Sequence, residues 1–158
     1  MLERLMPTDT NLGSPLLRLF LGVVFFPHGA QKLLGWFGGQ GFGATVAGMS
    51  HLGLPAALVF LVILIEFFGA LGLLLGFLTR LSASGILCVM LGAIFTVHLK
   101  NGFFMNWTGQ QYGEGFEYHL LVIGMCLALM VLGGGRYSVD GSMGRGRAAA
   151  GTSTSPSR

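Results

Sequence analysis

Residues 54–78 read LPAALVFLVILIEFFGALGLLLGFL, an apolar run that contains one charged side chain, Glu66. A helix of ~20 apolar residues spans the hydrocarbon core of a bilayer, so this run predicts a transmembrane helix. A carboxylate near its centre costs ~2.5 kcal/mol or more unless it is protonated, paired or held in a wet cavity. Glu66 is therefore the leading candidate for a functional residue.

The composition of the whole chain extends this interpretation. Of 158 residues, 53% are hydrophobic and only 9% are charged, which is far more apolar than a soluble domain of this size. Three further stretches are long enough to cross a membrane, at 15–34, 81–99 and 116–132. They are continuous apolar runs without strand-like alternation, which favours helices over a barrel. The predicted fold is an all-α membrane protein, an antiparallel bundle of four transmembrane helices.

Basic residues indicate how such a bundle is oriented. One side of the spans carries Arg4, Arg80, Arg136, Arg145 and Arg147, and the other carries Lys32 and Lys100. Because cytoplasmic segments hold the excess of Lys and Arg, both termini are expected in the cytoplasm. The chain then divides into a cytoplasmic tail at 1–14, a transmembrane domain at 15–140 and a disordered cytoplasmic tail at 141–158. The net charge of +3 reflects this asymmetry, so no nucleic-acid partner is expected.

The connection between the first two spans, residues 35–53, is rich in glycine and aromatic residues. This mixture predicts a flexible segment that dips into the membrane interface and caps a cavity from outside. On the third span, small residues form a stripe that predicts a packing face, at Gly85, Cys88, Gly92 and Thr96. The two cysteines of the chain, Cys88 and Cys126, form no C-x-x-C pair and are interpreted as packing residues.

An intramembrane ion pair is the first predicted site. On the first span, Arg18 and Lys32 share a helical face with small residues, and this face is expected to point into the bundle. Counting from the helix ends places the backbones of Arg18 and Glu66 within ~10 Å in depth, a gap that two extended side chains can largely close. We expect Arg18 and Glu66 to pair, either to pin the first two spans together or to handle protons or substrate.

A polar pocket at the outer end of the bundle is the second predicted site. His28, Lys32, His98 and Glu117 come from three spans and reach comparable depth. They are expected to line one outward-facing pocket that binds a ligand or shuttles protons. Lys100 and His119 are interpreted as part of an interfacial belt of snorkelling side chains.

Metal and haem binding receive little support from the same residues. The histidines show no H-x-x-x-H or E-x-x-H element on a single helix, and carboxylates are sparse. No metal site is predicted, and haem is a poor fit. His51, in the glycine-rich connection, is interpreted as a surface residue.

Several short motifs, taken in order, resemble one family. They are Arg18 with Gly22, Phe26 and the P-H-G-A-Q-K run at 27–32; Glu66 with Gly69 and Gly76 to Arg80; His98 with Gly102, Phe103 and Phe104; Glu117-Tyr118; and G-R-Y-S-V-D at 135–140. Across residues 16–140 this set is similar to the DoxX family of small bacterial membrane proteins. The resemblance implies a four-helix protein of the bacterial inner membrane.

The same resemblance implies a link to quinone-dependent redox chemistry. Relatives are subunits of a thiosulfate:quinone oxidoreductase, and others carry the name "putative oxidoreductase". The chain has no flavin or dinucleotide fingerprint, so a redox partner subunit or a diffusible quinone would have to exchange the electrons. The first hypothesis is thus an oxidoreductase subunit that binds a small lipophilic molecule. The alternative is a non-enzymatic membrane scaffold or small transporter.

Overall fold

The computed structural model describes residues 12–143, and within this range the chain is helical with no strand. The predicted tails at 1–14 and 141–158 fall largely outside the described residues. The helices are α1 (Gly13–Leu33), α2 (Gly41–His51), α3 (Ala56–Leu75), α4 (Thr79–Ala93) and α5 (Glu117–Leu132). A π-helical turn, Ile94–His98, and a 3-10 turn, Leu99–Asn101, continue α4 without a break.

Two helices in the described range are long and apolar enough to cross a membrane, namely α3 and α4 with its continuation to Asn101. The long helix α3 begins after Pro55, which cannot donate a backbone hydrogen bond and suits a helix start. It ends at Gly76, whose φ of 65° belongs to the left-handed region that glycine adopts without strain. The amides of Gly76 and Phe77 bond back to the carbonyls of Leu73 and Gly72, as in a Schellman motif.

The four longest helices pack side by side, each against two of the others. The first, α1, lies on α3, α3 on α4, and α4 on α5, which also touches α1. Their shared core consists of apolar side chains, including Leu21, Phe25, Leu73, Ile86, Val122, Cys126 and Leu129. We call the region around 12–18, 76–80 and 133–143 the tail end of the fold. The region around 34–55 and 99–116 is the loop end.

Glycines set the register between α1 and α3. A methyl group on Gly29 would lie 2.5 Å from the Cα atom of Phe67, so only glycine fits there. A methyl group on Gly22 would lie 2.6 Å from a side-chain atom of Leu74. Both glycines lie on the α1 face that was expected to point into the bundle, and both are buried. The backbone of Gly29 therefore lies level with the middle of α3.

The glycine-rich connection was predicted as a flexible segment, but residues 41–51 form the helix α2. Phe42, Val46 and Met49 are spaced to share one helical face, a periodicity that the glycine content obscured. The ring of Phe42 packs edge-on against that of Phe60 on α3, with centroids 5.9 Å apart. None of its residues is buried, so α2 covers the loop end of α3 from outside.

Large apolar side chains are exposed on all four long helices. They include Phe20 and Val23 on α1, Leu61 and Phe68 on α3, Leu81 and Phe95 on α4 and its continuation, and Leu121 and Val131 on α5. An exposed apolar surface this extensive is unfavourable in water but favourable against lipid tails. The outer surface of the helices thus has the character of a membrane-embedded protein.

Candidate functional site

Glu66 is buried in the middle of α3 and forms an ion pair with Lys32 of α1. The Lys32 Nζ atom donates a hydrogen bond to Oε2 of Glu66. The pair forms because Gly29 brings α1 against Phe67, and Lys32 lies one helical turn beyond Gly29. Only 5% of the Glu66 side chain is exposed, against 30% of the Lys32 side chain, so the carboxylate is the more deeply buried partner.

The predicted contact between Arg18 and Glu66 is wrong. Arg18 precedes Gly29 by 11 residues, which is roughly 16 Å along the helix axis, and Gly29 is level with Glu66 and Phe67. The prediction assumed that the helices begin at matching depths. In the structure α1 is displaced toward the tail end relative to α3. This displacement places Lys32, and not Arg18, beside Glu66.

Arg18 instead binds backbone carbonyls at the tail end. Its guanidinium donates to the carbonyl of Leu73 at 3.0 Å, near the end of α3, and to those of Arg136 and Tyr137 at 3.3 and 3.2 Å. Carbonyls at the C-terminus of a helix carry partial negative charge and attract cations. Arg18 therefore fastens α1 and α3 to the segment that follows α5.

Asp140, the last residue of the G-R-Y-S-V-D motif, completes this tail-end arrangement. Its carboxylate accepts the backbone N–H groups of Leu78 and Thr79, at 2.8 and 2.9 Å, where α4 begins. Burial alone would raise the pKa of Asp140, but the hydrogen bonds from Thr79 and Leu78 and the charge of Arg18 outweigh it. The pKa therefore lies below its ordinary value. The motif acts as a cap for α4.

A cavity of about 240 Å³ adjoins the Lys32–Glu66 pair. Its wall is mainly apolar and comes from α2, α3, α4 and their connections. It includes Met49, Leu58, Leu61, Val62, Val89 and Val97 beside the two charged residues. Leu58 and Leu61 are exposed as well as lining the cavity, so the cavity opens on the apolar outer surface.

The small-residue stripe of α4 has two different surroundings. A methyl group on Gly85 would lie 2.9 Å from Ile65, so this part of the stripe packs on α3 as predicted. A methyl group on Gly92 would meet no atom of residues 12–143 within 4 Å. Cys88, Gly92 and Thr96 line the cavity, so small side chains here create space between the two helices.

The four residues predicted to line one pocket lie in different surroundings. Lys32 belongs to the cavity beside Glu66. His98 bonds to the carbonyl of Glu114 at 2.8 Å. Glu117 accepts hydrogen bonds from the amide of Met105 and the indole of Trp107.

His28 is exposed, and its ring lies 6.4 Å from that of Phe25. The structure therefore does not place the four residues around one pocket. Lys32 lines the cavity beside Glu66, whereas His98 and Glu117 lie at the loop end.

His119 is predicted to be an interfacial residue, but the structure buries it, and only 5% of its surface is exposed. Its ring lies 4.1 Å from the ring of His98, centroid to centroid. The signal that would have found it is helical periodicity. The buried residues of α5 are His119, Val122, Cys126 and Leu129, which all lie on one face.

Tyr118 is the second residue of α5. Its ring borders a second cavity of about 660 Å³ at the loop end, formed with Phe103, Met105, Trp107, Glu117 and leucines of α5. Its hydroxyl is buried and has no hydrogen-bond partner among residues 12–143. In the described part of the chain, no group of three or more His, Cys, Asp or Glu residues is placed to hold a metal ion.

An all-helical fold with an apolar exterior, a buried ion pair and a cavity open to that exterior defines a class, the small helical membrane proteins. The chain belongs to the DoxX family, whose family model matches residues 13–99. The family sets the chain in a lipid bilayer.

Two curated relatives are similar over most of their length. One is named "Putative oxidoreductase CatD", from Bacillus subtilis (strain 168), and is 32% identical over 119 residues, or 75% of this chain and 79% of the relative. The other is the "Inner membrane protein YqjF" of Escherichia coli (strain K12), 32% identical over 130 residues, or 82% of this chain and 91% of the relative. No solved structure matches the chain.

Proposed function

We propose that this chain is a four-span antiparallel bundle of the bacterial inner membrane, with both termini in the cytoplasm. Residues 15–140 form the DoxX-like transmembrane domain. Helices α1 and α5 span about 31 and 24 Å at 1.5 Å per residue, and both expose large apolar side chains. The location rests on the name of the relative from Escherichia coli.

Within this bundle, the cavity beside Lys32 and Glu66 binds a small lipophilic molecule with a polar head group. The observation that carries this proposal is the ion pair itself, because a buried carboxylate and an ammonium form part of an otherwise apolar wall. Ligand sites are mostly apolar cavities with a few polar groups that orient the ligand. Lys32 can donate a hydrogen bond to a carbonyl of the ligand, and Glu66 can accept or return a proton.

A quinone fits this description. The cavity, at about 240 Å³, is smaller than the roughly 300–1,000 Å³ of drug-sized sites, so it suits a single-ring head group. The opening onto the apolar exterior leaves a lipid tail in the bilayer. A bound quinone that is reduced or oxidised needs an electron partner, and a redox subunit would supply or accept the electrons. The name of the relative from Bacillus subtilis points in the same direction.

A scaffold without catalytic activity, or a small transporter, is the second candidate. The observation that favours a scaffold is that Lys32 and Glu66 also fasten α1 to α3. A charged pair that only locks two helices needs no ligand. The two candidates differ in whether the cavity binds a ligand.

The test measures binding of a short-tailed benzoquinone to the purified full-length protein in nanodiscs, using two matched glycine variants. Gly92→Leu fills the cavity. Gly124→Leu adds the same side chain on α5, where a methyl group meets no atom of the described chain within 4 Å. We expect Gly92→Leu to weaken binding at least tenfold and Gly124→Leu to leave it unchanged. Equal affinity in both variants, or no binding by the unmodified protein, would contradict the cavity proposal and favour the scaffold.

A further inference from the structure

Within the part of the chain that the structure describes, two buried polar atoms on α5 have no hydrogen-bond partner. They are Nδ1 of His119 and the hydroxyl oxygen of Tyr118. Buried polar groups are nearly always paired, because an unpaired one costs free energy. Arg18, Ser50 and Thr79 each carry one such atom as well, but among residues 12–143 only Tyr118 and His119 place two on consecutive residues, beside two further titratable groups, His98 and Glu66.

On one side, this site continues to the loop end through His98. The rings of His119 and His98 lie 4.1 Å apart. His98 Nδ1 lies 2.8 Å from the Glu114 carbonyl, which can only accept, so Nδ1 carries the proton and donates it. The Nε2 atom of a neutral His98 ring is then free to accept a proton. His98 is only partly buried, so it can exchange protons with the solvent.

On the other side, the site continues toward the ion pair. The rings of Tyr118 and His119 lie 5.5 Å apart. Ser14 of α1 donates to the carbonyl of Gly133 after α5, and Tyr118 precedes Gly133 by 15 residues, just as Ser14 precedes Gly29. Because both helices rise equally per residue, Tyr118 lies level with Gly29 and therefore with Glu66. Glu66 is bonded in turn to Lys32 at the cavity wall. Four titratable groups from α3, α4 and α5 thus follow one another from the cavity to the loop end.

We propose that His98, His119 and Tyr118 form a proton path between the loop-end solvent and Glu66, with bridging water molecules where the rings are not in direct hydrogen-bond contact. This inference rests on the proposed function and assigns it a proton route. Reduction of a bound quinone to a quinol takes up two electrons from a redox partner and two protons. Each proton passes from solvent to His98, then through His119 and Tyr118 to Glu66, which delivers it to a quinone oxygen.

The neighbouring titratable groups do not offer an equivalent route. Glu117 is held by Met105 and Trp107, and Cys126 lies in the apolar core. Lys32 faces Glu66 from α1, on the cavity side of the path. His28 is exposed, with Phe25 beside its ring, and serves as a matched control histidine.

The experiment uses full-length protein in nanodiscs loaded with a short-tailed benzoquinone. An electrode supplies the electrons, a pH-sensitive dye follows proton uptake, and a separate titration measures quinone affinity. We expect Tyr118→Phe and His119→Phe to slow proton uptake at least tenfold while affinity stays within twofold. His28→Phe should change neither quantity. The slowed variants should also show a larger solvent isotope effect, which a purely structural role would not produce.

Each outcome decides a different point. Quinone binding with equal proton-uptake rates in all variants would overturn the path and leave the proposed function intact. Weakened binding by Tyr118→Phe would make Tyr118 a ligand contact and overturn its role in the path. No binding by the unmodified protein would overturn both proposals. Should His119→Phe fail to fold, Tyr118→Phe decides alone, because it removes a single hydroxyl.

Discussion

At the residue scale, the partner of Glu66 depends on a single close approach between backbones. Gly29 lies against Phe67, and this contact places Lys32, rather than Arg18, beside the carboxylate. Depth counted from helix ends cannot show such a displacement, because it assumes that neighbouring helices start level. The need of Glu66 for a partner was predictable from its buried position, but the identity of that partner was not.

The two members of the pair should respond differently to removal. Lys32→Met leaves the buried Glu66 carboxylate unpaired and should destabilise the protein by about 2 kcal/mol or more. Glu66→Leu should cost less, because the partly exposed Lys32 can extend its ammonium toward water. The double variant should recover stability, since an apolar replacement of a buried pair is often neutral. Thermal unfolding of the purified variants measures all three.

Arg18 provides the control for this double-mutant cycle of Lys32 and Glu66. Arg18 and Glu66 are separated by roughly 16 Å along the helices, so changes at the two positions should be additive within about 0.5 kcal/mol. The Lys32 and Glu66 changes should not be additive. A coupling free energy between Arg18→Leu and Glu66→Leu as large as that between Lys32→Met and Glu66→Leu would contradict the assigned pairing.

At the element scale, the packing of α1 on α3 depends on glycine at the contact. Gly29→Ala places a methyl group 2.5 Å from a backbone atom of Phe67, which cannot move independently of its helix. The helices must separate, so we expect a loss of about 2 kcal/mol and a weakened Lys32–Glu66 pair. Thermal unfolding and the yield of folded protein report this loss.

The matched control is Gly124→Ala on α5. Among the described residues, a methyl group there meets no atom within 4 Å, and alanine favours a helix over glycine by about 1 kcal/mol. This variant should unfold at the same or a higher temperature than the unmodified protein. Similar destabilisation by both changes would mean that loss of glycine flexibility, and not the α1–α3 contact, is responsible.

The start of α4 depends on Asp140, and this dependence should vary with pH. Asp140→Asn weakens the cap and should cost about 1 kcal/mol at neutral pH. Because the folded-state pKa lies below the unfolded value of about 3.9, the charged carboxylate stabilises the fold above that value. The contribution is lost as the pH falls through the folded-state pKa. The difference in melting temperature between the two proteins should therefore shrink below about pH 4, and a difference that does not vary with pH would contradict the cap.

Long apolar elements were predictable from the sequence, whereas short and irregular ones were not. The helices α1, α3 and α5, and α4 with its continuation to Asn101, match the four predicted stretches to within a few residues, because continuous apolar runs leave no other structure for them. The helix α2 was missed because its glycines outweighed three apolar residues at helical spacing. The burial of His119 contradicts the interfacial assignment, because its position near a helix end favours an interface whereas its helical spacing from Val122 and Cys126 places it on the buried face of α5.

At the scale of the whole molecule, polar groups separate into two regions with different partners. At the tail end, Arg18 and Asp140 bind mainly backbone groups and join α1, α3 and α4 to the segment after α5. Toward the loop end, Lys32 and Glu66 pair through their side chains at the wall of the cavity of about 240 Å³, and the ring of His119 lies against that of His98. The tail-end groups thus hold elements of the fold together through backbone hydrogen bonds, whereas Lys32 and Glu66 lie in a mainly apolar wall where the proposed ligand would reach them. This division places the proposed chemistry in the loop-end half of the membrane.

That placement can be tested by the topology of the whole chain. Arg80 and Arg136 lie at the tail end, so the tail end should face the cytoplasm and the loop end the opposite side of the membrane. We expect fusions after Arg80 and after Asp140 to give fluorescence from a reporter that folds only in the cytoplasm. A fusion after Gly109 should instead activate a phosphatase that works only outside it. The opposite pattern would mean that the loop end faces the cytoplasm and that the proton path opens on that side. A cytoplasmic signal from all three sites would contradict a four-span arrangement, because the connection at 102–116 would then not have crossed the membrane.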